Sequence, residues 1–230
     1  MHPLDCPIWQ SLTGAHAGFS LGGPLAKRFQ RDVNIFATAR DDSPEALQAL
    51  ADLVEPGEHV YRMQVAKIII PPGLVATNTA PGVQMVGSRP IPAPERGGIE
   101  DLSAADAPAM LVLATLTEPG PFLPRTHLMG PFLGIKIDGR LVAMAGERMS
   151  APGYTEVSGV CTHPDFRGKG FARKLSAAVA ARIFARGQTP FLHAWKENHA
   201  AIRLYESLGF AWRTDVNVAV LERRGRVVGE

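Results

Sequence analysis

The chain has little sulfur with which to cross-link itself. Its two cysteines, Cys6 and Cys161, lie far apart and neither belongs to a Cys-x-x-Cys pair. That excludes a disulfide framework and fits two reduced thiols. No apolar run reaches the roughly 18 residues that a membrane span needs. Residues 1–5 carry no basic stretch and no apolar segment follows them, so the expectation is a cytoplasmic protein without a secretory leader. A charge excess is also missing. The 24 Lys and Arg against 22 Asp and Glu leave +2, too balanced for a general nucleic-acid binder. His163, His193 and His199 do not stand at metal-ligand spacing and no His-Glu-x-x-His occurs, so no metal site is expected.

What is present is ordinary globular composition, with 46% apolar and 20% charged residues over 230 positions. That length suits one large domain, or one domain and a smaller part. Six lysines against eighteen arginines, with abundant Ala, Gly and Pro, suggest a GC-rich bacterial genome.

Strands are expected over 33–39 and 59–65, flanking a helix that Ser43 caps and Pro44 opens. Residues 71–98 contain six prolines and end in Gly97-Gly98, which reads as a linker, the alternative being a structured crossover. The division expected from this is an N-terminal α/β region over 1–95 and a second domain over 96–230. In the second part a helix runs from Asp106 to about Thr117. Asp138-Gly139 between apolar runs marks a hairpin. A strand over 154–162, a helix over about 170–186, a strand over 189–195, a helix over 200–208 stopped by Gly209, and a strand over 216–221 follow. The class is mixed α/β.

The informative segment runs from Glu156 through Thr162-His163-Pro164-Asp165-Phe166-Arg167-Gly168-Lys169-Gly170-Phe171-Ala172. A strand enters a short loop with two glycines and two cations, and the loop opens directly into a helix. Unpaired N–H groups and the positive end of the helix dipole make such a junction a phosphate or pyrophosphate site. The pattern is not Gly-x-x-x-x-Gly-Lys-Ser/Thr, because His163 and Gly170 stand in the wrong places, and it lacks the third glycine of the dinucleotide fingerprint. Further on, Asn198 and Tyr205 are seven residues apart, which puts them on one helical face.

Arg167-x-x-Gly170-x-Ala172, followed by Asn198-x-x-Ala-x-x-Leu-Tyr205-x-x-x-Gly-Phe, resembles the GNAT acyltransferase superfamily over about residues 99–222. The Thr162–Ala172 run looks closest to its glycine N-acyltransferase-like branch. The resemblance implies a twisted mixed sheet whose two central parallel strands splay apart, and acetyl-CoA as co-substrate. It implies that N–H groups of residues 168–172, flanked by Arg167 and Lys169, hold the pyrophosphate. Val160, Cys161 and Thr162 would pair with the pantetheine arm, Asn198 would hydrogen-bond it, and Tyr205 would protonate the departing thiolate. The implied activity is N-acetylation of a primary amine of a small molecule by direct attack in a ternary complex. Residues 1–95 lie outside the resemblance, and a diverged GNAT-like half is one reading of them.

An attacking amine needs a proton acceptor. Glu156, at the start of the strand that meets the cofactor, is the first choice, Glu147 the second, and His127 or a water chain the third. Cys161 is read as a buried thiol rather than an acyl carrier. Trp9 and Trp195 are read as packing residues. Two other readings stay open: an acyl-CoA-binding regulatory module without turnover, and a different nucleotide binder. Oligomeric state is left open.

Overall fold

The computed structural model describes residues 2–95 and 97–223. Five helices and eleven strands follow in order: α1 (Pro7–Thr13), β1 (Ser20–Gly22), β2 (Ala26–Phe29), β3 (Ala37–Ala39), α2 (Pro44–Asp52), β4 (His59–Gln64), β5 (Val75–Gly87), β6 (Glu100–Leu102), α3 (Ala107–Thr117), β7 (Phe132–Ile137), β8 (Arg140–Ala151), β9 (Tyr154–Thr162), α4 (Phe171–Ala185), β10 (Thr189–Trp195), α5 (His199–Leu208) and β11 (Phe210–Glu222).

Eight strands form one sheet in the order β4-β11-β5-β10-β9-β8-β7-β6, and β1 to β3 form a small second sheet. On one face of the large sheet lie α4 and α5. Leu175, Val179 and Ile183 of α4, and Ile202, Tyr205 and Leu208 of α5, pack with Val83, Met85, Ala145, Val157 and Leu192. On the other face Leu4, Ile8, Leu12 and Phe29 pack against Met149, Phe191, Val216 and Val218. The alternation of neighbours such as Phe191 and Leu192 between these two clusters follows from the two-residue period of a strand.

Local signals fall where the residue types demand. Ser43 accepts a hydrogen bond from the Ala46 N–H at 3.4 Å and Pro44 opens α2. Asp138 and Gly139 both take positive φ, 50° and 76°, which a two-residue hairpin turn with the right twist requires.

The breaker-rich stretch is not a linker. Residues 75–87 within it form the long strand β5, which pairs with β11 on one side and β10 on the other. Pro81 pairs with Asn217 and Gly82 with Val216 there. Ile91, among the prolines that follow, is buried in the α4 core. The large sheet therefore draws strands from both sides of the 95/96 division.

β9 and β10 are parallel neighbours at the sheet's centre. They pair only at Tyr154 with Thr189, Thr155 with Pro190, and Glu156 with Phe191. β9 then runs on to Thr162 and β10 to Trp195 without pairing to each other. This wedge positions the site.

Candidate active site

A groove of about 940 Å³ runs from the wedge over the start of α4. It is lined by Val160, Cys161 and Thr162 of β9, by Arg167, Gly168, Gly170, Phe171 and Ala172 at the helix start, and by Asn198 and Ala201 of α5's first turn. Of the residues expected to hold the cofactor, Lys169 does not line it; its ammonium sits 5.1 Å over the Phe166 ring.

The loop geometry has a physical cause. Gly168 and Gly170 hold φ of 78° and 77°, and a Cβ on either would point into open space. A side chain there is disfavoured by backbone conformation, not by crowding. Among the described residues, the N–H groups of 168–170 make no backbone hydrogen bond. Those of 171–173 begin a helix and have no intrahelical partner. Residues 168–173 thus carry, among the described residues, a run of N–H groups without backbone partners at a helix N-terminus. The Thr162 hydroxyl oxygen is buried and unpartnered on the groove's β9 wall. Residues of this kind fit a pyrophosphate with a polar arm beyond it.

Groove and wedge communicate. Val160, Asn198 and Ala201 also line a cavity of about 210 Å³ between the splayed strands. Tyr205 enters this cavity from α5, one face with Asn198, whose side chain caps the helix by accepting from the Ala201 N–H at 3.1 Å. Tyr205 packs edge-on against Phe210, and its hydroxyl has no hydrogen-bond partner among the described residues. Burial pushes that hydroxyl up to about 12, so it stays protonated at neutral pH. Burial also pushes the Cys161 thiol up to about 11, a poor nucleophile.

Both glutamates expected as bases are engaged elsewhere. Glu156 is fully buried behind the cavity. Arg148 donates to it twice, Nε to Oε2 and Nη2 to Oε1, each at 2.8 Å, and the Met149 N–H donates at 3.3 Å. His193 Nδ1 donates to Oε1 at 2.8 Å. Burial alone would raise this carboxyl, but the Arg148 charge and these donors hold it at about 2. The Glu156 carboxylate, expected as the base, is thus engaged by Arg148 and His193, and it does not itself line the cavity. Glu147 receives Arg186 at 2.8 Å on both oxygens and does not line the cavity. Arg186 caps α4, so Glu147 points to the helical face, one strand residue away from Arg148. Burial raises its carboxyl against the pull of Arg186. His127 is half-buried on a turn with Nδ1 near the Pro124 carbonyl, away from the cavity lining.

The cavity's remaining walls were not read from the sequence. Phe36, Tyr61, Met63 and Gly82 come from the first 95 residues, and Arg148, His193, Trp195, Val216, Val218 and residues 118–121 complete it. The Arg148 guanidinium sits 4.8 Å over the Phe36 ring. His193 is fixed at both nitrogens: Gln84 Nε2 donates to its Nε2 at 3.0 Å and also to the Leu4 carbonyl, so the ring proton is on Nδ1. Trp195, expected to pack, is 48% exposed and lines the cavity. The register of β9 with β10, which sets Glu156 beside Phe191 and near His193, has no local sequence signal.

Residues 132–219 match the family model described as FR47-like protein. The chain is 40% identical to a protein from Novosphingobium aromaticivorans described as an acetyltransferase of the GNAT family, covering 98% of this chain and all of that one at a TM-score of 0.92. It shares its fold with a GCN5-related N-acetyltransferase from Kribbella flavida, at 22% identity over 90% of each chain and a TM-score of 0.58. It is also 37% identical over 101 residues to a mycothiol acetyltransferase from Nocardiopsis dassonvillei, an alignment that takes in 39% of this chain and 30% of that relative's length. The near-complete match to the Novosphingobium protein covers the wedge, the glycine loop and the N-terminal walls together, and with it the chain belongs to the GNAT family of acetyltransferases.

Proposed function

We propose that the protein is an acetyl-CoA-dependent N-acetyltransferase that acetylates a primary amine of a small molecule by direct attack in a ternary complex. One observation carries the reading: the groove with the glycine loop and the cavity with Tyr205 share Val160, Asn198 and Ala201, so an acyl donor anchored at one end reaches a second chamber. The donors of residues 168–173 would bind the pyrophosphate. The unpaired edge of β9 beyond Val157 offers backbone N–H groups to the thioester carbonyl, where oxyanion charge develops. Tyr205 would give its proton to the departing thiolate. Holding both substrates in line supplies much of the rate.

Phe36, Tyr61 and Met63 form the acceptor end, which gives residues 1–95 a role in choosing the amine. The glycine N-acyltransferase-like branch rests on the Thr162–Ala172 run alone. A cytoplasmic, bacterial setting rests on composition. A regulatory acyl-CoA-binding module without turnover is the second reading, favoured by the ion-paired state of Glu156.

Calorimetric titration with coenzyme A, ATP and NAD, followed by thiol release over a panel of amines, tests both. Coenzyme A binding with thiol release is expected. Coenzyme A binding without release from any amine would select the regulatory module, and tight ATP or NAD binding without coenzyme A would overturn both readings.

A further inference from the structure

An amine reaches an acyl donor as an ammonium ion and must lose a proton before it attacks. Among the cavity-lining residues Glu118 is the one carboxylate. Glu156 lies behind the wall in its ion pair, Glu147 lies on the helical face, and both ring nitrogens of His193 are engaged. The Glu118 carboxylate has no hydrogen bond or ion pair with any described residue.

The backbone at Glu118 is unusual. It is the first residue past α3, with φ 49° and ψ 55°, and its N–H bonds the Ala114 carbonyl at 2.8 Å. That left-handed place ordinarily goes to glycine. Pro119 follows, and a residue before proline is pushed toward extended conformations. Two local preferences are therefore overridden at a residue that lines the cavity. The far walls, Phe36, Tyr61, Met63, Val216 and Val218, are apolar or aromatic. The chamber of about 210 Å³ suits a body of the size of one ring.

From these observations the geometry points to Glu118 as the group that receives the ammonium of a small apolar primary amine and takes its proton. This rests on the acetyltransferase reading above. The ammonium proton passes to the Glu118 carboxylate, and the freed nitrogen lone pair forms the bond to the acetyl carbon. The carbon–sulfur bond breaks with its electron pair on sulfur, which Tyr205 protonates, and the second proton that the nitrogen sheds on becoming an amide returns through water to the Tyr205 oxygen. Glu118 is exposed and returns its proton to water.

The probe is 2-phenylethylammonium, titrated calorimetrically into the full chain saturated with coenzyme A, with 2-phenylethanol as its uncharged counterpart. The wild type is expected to bind the ammonium, Glu118→Gln to bind it at least tenfold more weakly, and the alcohol to bind both alike. Glu118→Gly removes the carboxylate while suiting the left-handed turn. It should melt no lower than the wild type and lose the same tenfold, which a purely structural role would not produce. No binding of the ammonium to the wild type, or equal affinity in wild type and Glu118→Gln, overturns the inference while leaving coenzyme A binding intact. Failure of coenzyme A to bind overturns the acetyltransferase reading and this inference with it.

Discussion

The Glu156 carboxylate lies 2.8 Å from Nδ1 of His193 while Arg148 holds both of its oxygens from the other side. Three side chains from β8, β9 and β10 thus tie the wedge together just where pairing between β9 and β10 ends.

Glu156→Gln is therefore expected to lower stability more than it lowers chemistry. Removing one partner of a buried ion pair leaves Arg148 uncompensated, at a cost of about 3–5 kcal/mol. Because the folded carboxyl is held at about 2 against an ordinary value of 4.5, its contribution is complete above about pH 4.5 and is lost as pH falls toward 2. Thermal melts between pH 2 and 6 should show the wild type losing stability across that window more steeply than the variant. Parallel curves would contradict the ion pair.

Tyr205→Phe keeps the ring against Phe210 and removes only the hydroxyl. Turnover should fall by roughly 10²-fold, the low end for a lost proton donor, with the KM for acetyl-CoA nearly unchanged. Since the hydroxyl is pushed up to about 12, the wild-type pH–rate profile should show no loss from this group up to about pH 10. Steady-state kinetics against pH reads both.

Gly170→Ala tests the loop. At φ 77° a Cβ meets no atom, so the penalty is conformational alone, about 1–2 kcal/mol. Relaxing the loop would turn its N–H groups away, and coenzyme A affinity should fall at least tenfold by calorimetry. Lys169→Ala, whose side chain lies over Phe166 outside the groove, should cost less than threefold.

The contrast between the halves shows what a linear reading can reach. The glycine loop and the Asn198–Tyr205 helix are local: each is a few residues whose backbone demands are written in their own types, and the groove contains nearly all of them. β5 was hidden because Pro81 and Gly82 look like breakers. They are tolerated because neighbouring strands on both sides fix the chain there. The acceptor walls were hidden for a different reason. Phe36, Tyr61 and Arg148 become neighbours only through long-range pairing, and nothing in a single stretch announces that. Glu147 and Glu156 were each legible as carboxylates at strand positions, but which face each takes depends on the irregular β8–β9 register between Glu147 and Ser150.

If Tyr61 and Met63 form the amine end, truncating them should separate the two substrates kinetically. Tyr61 is half-buried on β4, so Tyr61→Ala removes cavity wall without emptying the main core. The amine KM should rise by about tenfold, which corresponds to about 1.4 kcal/mol of lost apolar contact, while the KM for acetyl-CoA stays within twofold because no residue of β4 lines the groove. The asymmetry is the informative part. A change that raised both constants together would mean that β4 supports the wedge as a whole. A rise confined to the amine would assign acceptor choice to the N-terminal region, since the splayed strands, the glycine loop and Tyr205 are untouched by the substitution.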